Sequence, residues 1–147
     1  MVELSAKSMA DAMFDCYNNS NRRVGIAFSS HQKLRDYALS LRGYHRDGLI
    51  PSAYYQGRID EVFFGAGSSI KMFDASNSVD CRGRRFDVVL YDPEIYDKVT
   101  LEWLQGYENP CSKYEFKNGT YFRPVAEMEV DTQPLDDFLD GFHIMKP

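Results

Sequence analysis

A few places in the sequence carry residue types that could do chemistry. The first is Phe86-Asp87-Val88-Val89-Leu90-Tyr91-Asp92, an apolar and aromatic run ending in an acid. A carboxylate at the end of a buried strand can reach Mg²⁺ in phosphoryl-transfer sites. The next residue is Pro93, and Glu94 lies one place further on. The same residues serve a plainer purpose: Asp92 as a helix cap, Pro93 in the first turn, and Glu94 favourable to the helix dipole. The local pattern favours the cap, with a metal role for Asp92 as the alternative. The second place is Arg82-Gly83-Arg84-Arg85, the densest basic cluster, just before that strand. Guanidinium groups grip phosphate bidentately, so Arg82, Arg84 and Arg85 are candidate contacts to nucleic acid or phosphate; a solvated charge run is the equal alternative. The third is Glu115-Phe116-Lys117, which with Asp92 or Asp97 upstream matches the acid–x–lysine strand of metal-dependent nucleases. Asn118-Gly119 would place Lys117 at a hairpin tip, a poor position for a rigid metal site.

Other patterns argue against chemistry. Gly65-Ala66-Gly67 opens like a dinucleotide-binding loop, but Ile70 stands at the sixth position and a strand pattern follows. Without a helix N-terminus a pyrophosphate has little reason to bind there, and a hairpin turn is expected. No phosphate-cradling Gly-x-x-x-x-Gly-Lys-Ser/Thr loop occurs. Cys16, Cys81 and Cys111 are odd in number, and His31, His45 and His143 stand apart, so neither a disulfide scaffold nor a zinc site is expected. No cofactor is called for.

Charge placement is more informative than net charge. The 147 residues carry a formal −5. Residues 1–125 hold 16 acidic and 16 basic side chains, and the remainder holds Glu127, Glu129, Asp131, Asp136, Asp137 and Asp140 against Lys146. This balance excludes a simple basic clamp on nucleic acid. Thr132 can cap a final helix with Pro134 in its first turn. Leu135, Phe138, Leu139 and Phe142 then recur at helical spacing, with Asp136 and Asp137 among them. Such a segment docks either on its own domain or in an apolar groove with a basic rim on a protein partner. The expected organisation is an α/β domain over residues 1–130 and an acidic amphipathic tail over 131–147.

The elements that must position these residues follow from periodicity. Ser5 caps a first helix, Leu4 staples onto Met9, and Met9, Ala12, Met13 and Cys16 share a face. Val24-Gly25-Ile26-Ala27-Phe28 has the length and lack of alternation of a strand buried on both faces. Ser29 and Gln32 predict a capping box for a helix burying Leu34, Tyr37, Ala38 and Leu41 and ending at Gly43. Ala53 to Tyr55 is a short strand candidate, and Ile59–Phe64 and Ser69–Phe73 are strands around the Gly65–Ser68 turn. After Asp92 comes a helix carrying Ile95, Val99, Trp103 and Leu104. Lys113–Lys117 and Thr120–Val125 flank the Asn118-Gly119 turn. The whole predicts an α/β fold: a mixed sheet with central parallel strands flanked by helices, plus an antiparallel C-terminal hairpin. Ten Tyr and ten Phe fall largely on these elements, where packing is their main use. The N-terminal residues lack a signal-peptide pattern, and no stretch has the roughly 18 apolar residues that span a bilayer, so a cytoplasmic, non-membrane protein is expected.

Taken in order, residues 22–108 resemble the ATPase core of phage large terminases and related helicase-like P-loop proteins. The resemblance rests on the strand Val24–Phe28, the helix from Lys33, the Gly67-Ser68-Ser69-Ile70-Lys71-Met72-Phe73 strand, the Arg82-Gly83 pair and the Walker-B-like strand ending at Asp92. It implies a similar sheet and a viral or mobile-element origin. It does not imply ATP hydrolysis, because the Walker-A loop is missing and Pro93 stands where the family has its catalytic Glu. The leading expectation is a non-catalytic, phage-encoded domain that binds a protein of DNA metabolism or host defence. The alternatives are a single-stranded nucleic-acid-binding accessory protein with a competing acidic tail, and a metal-dependent nuclease.

Overall fold

A computed structural model describes residues 1–46, 53–76 and 84–109. In chain order these form β1 (Val2–Glu3), α1 (Ala6–Asn18), β2 (Arg23–Phe28), α2 (His31–Arg46), β3 (Ala53–Tyr54), β4 (Glu61–Phe64), β5 (Ser69–Asp74), β6 (Val88–Tyr91) and α3 (Lys98–Gln105). The sheet order is β1-β6-β2-β5-β4-β3. Strands β1, β6, β2 and β5 run parallel, and β4 and β3 add to the β5 edge antiparallel. The fold is thus α/β with a mixed sheet, as the alternation of apolar strands and amphipathic helices predicts. The expected hairpin over 113–125 and the tail over 131–147 lie outside the described residues.

Strand β2 sits between β6 and β5, which explains its unbroken apolar sequence. Val24, Ile26 and Phe28 join Ile70, Met72, Val88 and Leu90 in a core shared with α1 and α2. Ala27 lies on the other face with Phe73, Phe86 and Val89, beneath Leu104 of α3. Gly25 also faces that side: a Cβ there would sit 2.7 Å from Cδ2 of Phe86. Phe86 in turn stacks on Phe73 with centroids 5.8 Å apart. The glycine in β2 therefore makes room for a ring, which is what a glycine inside a strand often signals.

Local chemistry sets most element ends. Ser5 caps α1 and forms a reciprocal box with Ser8, whose Oγ accepts from the Ser5 N–H at 2.8 Å. The β4–β5 turn closes through Gly67 N–H to Phe64 O at 3.0 Å, with Gly67 at φ +86. Ser68 Oγ pins that turn to the α1–β2 connection by donating to Asn19 O at 2.7 Å. Gly65-Ala66-Gly67 is therefore a hairpin turn with no helix behind it.

The structure corrects several element ends and adds one strand. The cap of α2 is Ser30, not Ser29: Lys33 N–H donates to Ser30 Oγ at 3.2 Å, and Gln32 turns outward to Asp36. Helix α2 runs through Gly43 to Arg46, because Tyr44 packs on the core and the His45 ring meets Ala53 O at 2.6 Å. Asp92 does not cap α3; Asp97 does, accepting from Thr100 N–H at 2.9 Å. The later start rotates the buried face of α3. Ile95 is buried in the preceding turn, Leu104 is buried within the helix, and Val99 is 73% exposed. Strand β1, two residues long, was not expected; it is recruited by pairing with β6, and Leu4 N–H continues the ladder to Tyr91 O.

Candidate functional site

Asp92 follows β6 at the carboxyl end of the parallel strands, the end at which open α/β sheets bind ligands. Its N–H still donates to Ala27 O at 2.9 Å, so the residue belongs to the ladder rather than to a helix start. Phe28 pairs with Asp74, and Ala27 with Tyr91, so Asp74, Phe28 and Asp92 form one row across three strands. Successive strands are about 4.8 Å apart, which places the two acids about 10 Å from each other. Asp74 folds back on its own turn, accepting from Ser76 N–H at 2.8 Å and Ser76 Oγ at 2.7 Å.

Asp92 is only 2% exposed and its carboxylate is fully engaged. Lys33 Nζ lies 2.8 Å from both oxygens. Glu94 N–H donates to Oδ1 at 3.0 Å, and Ser29 donates to Oδ2 through Oγ at 2.7 Å and N–H at 3.2 Å. Burial by itself pushes this carboxyl up, but Lys33, Glu94 and Ser29 outweigh it and hold the group below the usual carboxylate range. Lys33 also approaches Glu94 Oε1 at 3.3 Å. A carboxylate offers about four lone-pair positions, and here the chain's own donors take them. The geometry therefore does not fit the Mg²⁺-ligand role considered for Asp92. Among the described residues no three His, Cys, Asp or Glu side chains converge as a metal centre requires.

Over this end of the sheet lies a cleft of about 400 Å³, lined by Ser29, Ser76, Glu94, Tyr96, Asp97 and Thr100 among others. Its rim is acidic. Thr100 N–H and Oγ1 hold the exposed Asp97 carboxyl below its ordinary range. Tyr96, just before the α3 cap, is 87% exposed, and Val99, in the first turn of α3, is 73% exposed.

Of the basic cluster, Arg84 and Arg85 sit at the opposite end of β6. Arg84 pairs with Glu61 at 2.8 Å, and Arg85 donates to Gly106 O at 2.7 Å. Both line a second cleft, of about 670 Å³, together with Arg23, Glu61, Phe63 and Asp87. Arg82 lies outside the described residues, as do Leu135, Asp136, Asp137, Phe138, Leu139 and Phe142. Arg84 and Arg85 thus lie at the amino ends of the strands and do not meet Asp92.

Two residues escaped the sequence reading. Lys33 was visible only as part of α2, although a cation in the first turn opposes the helix dipole and so points to a carboxylate partner. Arg23 opens β2, exposed at the end of an otherwise buried apolar run. Comparison with protein-family models, with curated proteins and with solved structures returns no match.

Proposed function

We propose that this chain is a non-catalytic, phage-encoded domain of ATPase-core-like build that acts by binding a protein partner in DNA metabolism or host-defence counteraction. The observation that carries this reading is the occupancy of Asp92. The acid in the Walker-B position spends its acceptor capacity on Lys33, Ser29 and Glu94, within its own chain. Lys33 therefore answers the carboxylate's charge from inside the protein, where the resemblance would have an ion do so. With no Walker-A loop in the sequence, the carboxyl end of the sheet keeps its shape and loses its chemistry.

A domain of this kind works through its surface. Tyr96 and Val99 expose apolar area beside the acidic Glu94 and Asp97. The segment from Leu135 to Phe142 repeats the same combination of apolar and acidic residues. Both suit a partner with an apolar groove and a basic rim. The test is affinity capture from the host cell by the full chain, with and without nuclease. Capture that survives nuclease and is lost in Phe138→Ser and in Tyr96→Ala supports the reading. Mg²⁺-dependent nucleotide or nucleic-acid turnover that disappears in Asp92→Ala refutes it.

A further inference from the structure

The amino-end face of the sheet carries a row of side chains that the protein-partner reading does not use. Tyr54 pairs with Phe63, Phe63 with Ser69, and Ser69 with Arg23. Directly paired residues project to the same face of a sheet. The row therefore crosses β3, β4, β5 and β2 on one side, over three strand intervals or about 14 Å. It begins with two rings stacked at 5.6 Å and 21°, of which Tyr54 is 44% exposed. It ends at Arg23, an exposed residue whose guanidinium has no partner among the described residues. Arg84 and Arg85 flank this end, in the 670 Å³ cleft that Phe63 also lines.

We propose that this face is a platform for single-stranded nucleic acid. The rings of Tyr54 and Phe63 take a base, and Arg23, Arg84 and Arg85 take the phosphates that follow. The combination of rings and guanidinium groups is what selects this ligand. Guanidinium groups alone would accept any polyanion, but a flat aromatic surface beside them rewards only unpaired bases, since a duplex keeps its bases stacked on each other. The neutral balance of residues 1–125 does not oppose this, because the positive charge is local. Within the cleft three guanidinium groups face the carboxylates of Glu61 and Asp87. Asp87 accepts from the Arg23 backbone N–H at 2.9 Å, and Glu61 holds Arg84 at 2.8 Å. Glu61 is therefore an internal competitor for the phosphate that Arg84 would bind, so affinity is modest and salt-sensitive. Three phosphate contacts correspond to a slope of about −2 in log K against log salt for a single strand.

The test is fluorescence anisotropy of end-labelled oligo-dT and oligo-U, roughly twelve nucleotides long, with the full-length protein at low salt. Duplex DNA and inorganic polyphosphate are the comparison ligands. Single strands are expected to bind more tightly than either. Arg23→Ala should weaken binding about fivefold and Tyr54→Ala about tenfold, the latter corresponding to stacking of one base. Glu61→Gln should tighten it severalfold by removing a carboxylate that competes with the phosphate. Circular dichroism of each variant checks the fold, and the exposed positions of Arg23 and Tyr54 keep two arms independent of core packing. The proposal is overturned if the wild type binds no oligonucleotide at low salt. It is also overturned if polyphosphate binds equally well and Tyr54→Ala changes nothing, which would leave a site that recognises charge alone.

Discussion

Replacing Lys33 by methionine isolates the contact that closes the carboxyl end of the sheet. The substitution keeps the length of the aliphatic stem and removes the cation from Asp92, whose side chain is 3% exposed. Removing one partner of a fully buried pair costs about 3–5 kcal/mol, whereas exposed pairs contribute about 0–1. Lys33 is 32% exposed, and Asp92 keeps its donors from Ser29 and Glu94, so the expected cost lies between these, at about 2 kcal/mol near neutral pH. In urea denaturation with a slope of about 2 kcal/mol per molar, the midpoint falls by about 1 M. The pH dependence gives a second check. The folded-state pKa of Asp92 is held below its unfolded value, so the stabilisation is present above the unfolded value, near 4, and is lost as pH falls through the folded value. Without Lys33 that pKa rises, so the gap between wild type and variant should close as the medium is acidified below about pH 4. The double variant Lys33→Met with Asp92→Asn should recover only part of the loss at neutral pH, because the asparagine NH2 cannot accept from Ser29 N–H or Glu94 N–H as the oxygen it replaces does. A cost below about 0.5 kcal/mol, within the range of ordinary surface substitutions, would refute the reasoning. So would a gap that does not change with pH.

Three further outcomes follow from the packing and the caps. Gly25→Ala should cost about 1–3 kcal/mol in thermal or urea melts, because the new methyl meets the Phe86 ring, and Phe86→Leu in the same chain should recover part of it. Ser5→Ala removes the Oγ that accepts from Ser8 N–H while leaving the bond from its own N–H to Ser8 Oγ, and should lower stability by about 1 kcal/mol with no change in the denaturant slope. Burial pushes the Cys16 thiol up, with Asp15 adding to the shift, so it holds little thiolate. In a chain carrying Cys81→Ser and Cys111→Ser, it should resist iodoacetamide while folded and react on unfolding; rapid labelling of the native protein would contradict its burial.

The two candidate surfaces stand at opposite ends of β6, and this separation matters for what the protein can do. At the carboxyl end, Asp92 is neutralised internally and the surroundings are acidic and apolar. At the amino end, guanidinium groups adjoin a pair of rings. A protein and a single strand could therefore be held together without competing for one surface. No helix among the described residues is long and apolar enough to cross a membrane.

The sequence by itself determined what depends on neighbours along the chain. The apolar runs of β2 and β6, the helical face of Met9, Ala12, Met13 and Cys16, the Ser5 cap and the Gly65–Ser68 turn were all legible there. Each rests on periodicity or on the dihedral and capping preferences of a few adjacent residues. Where two local readings competed, the sequence did not decide between them. Asp92-Pro93-Glu94 reads as a helix start, yet Asp92 turns to a lysine 59 positions away and the helix waits for Asp97. Pairings of that kind were settled only by tertiary structure. Placing β2 between β6 and β5 brings Lys33 over Asp92, and adding β4 and β3 antiparallel aligns Tyr54 and Phe63 with Arg23. Strand order and register follow from burying several faces at once, a condition on the whole chain that leaves no mark on any one segment.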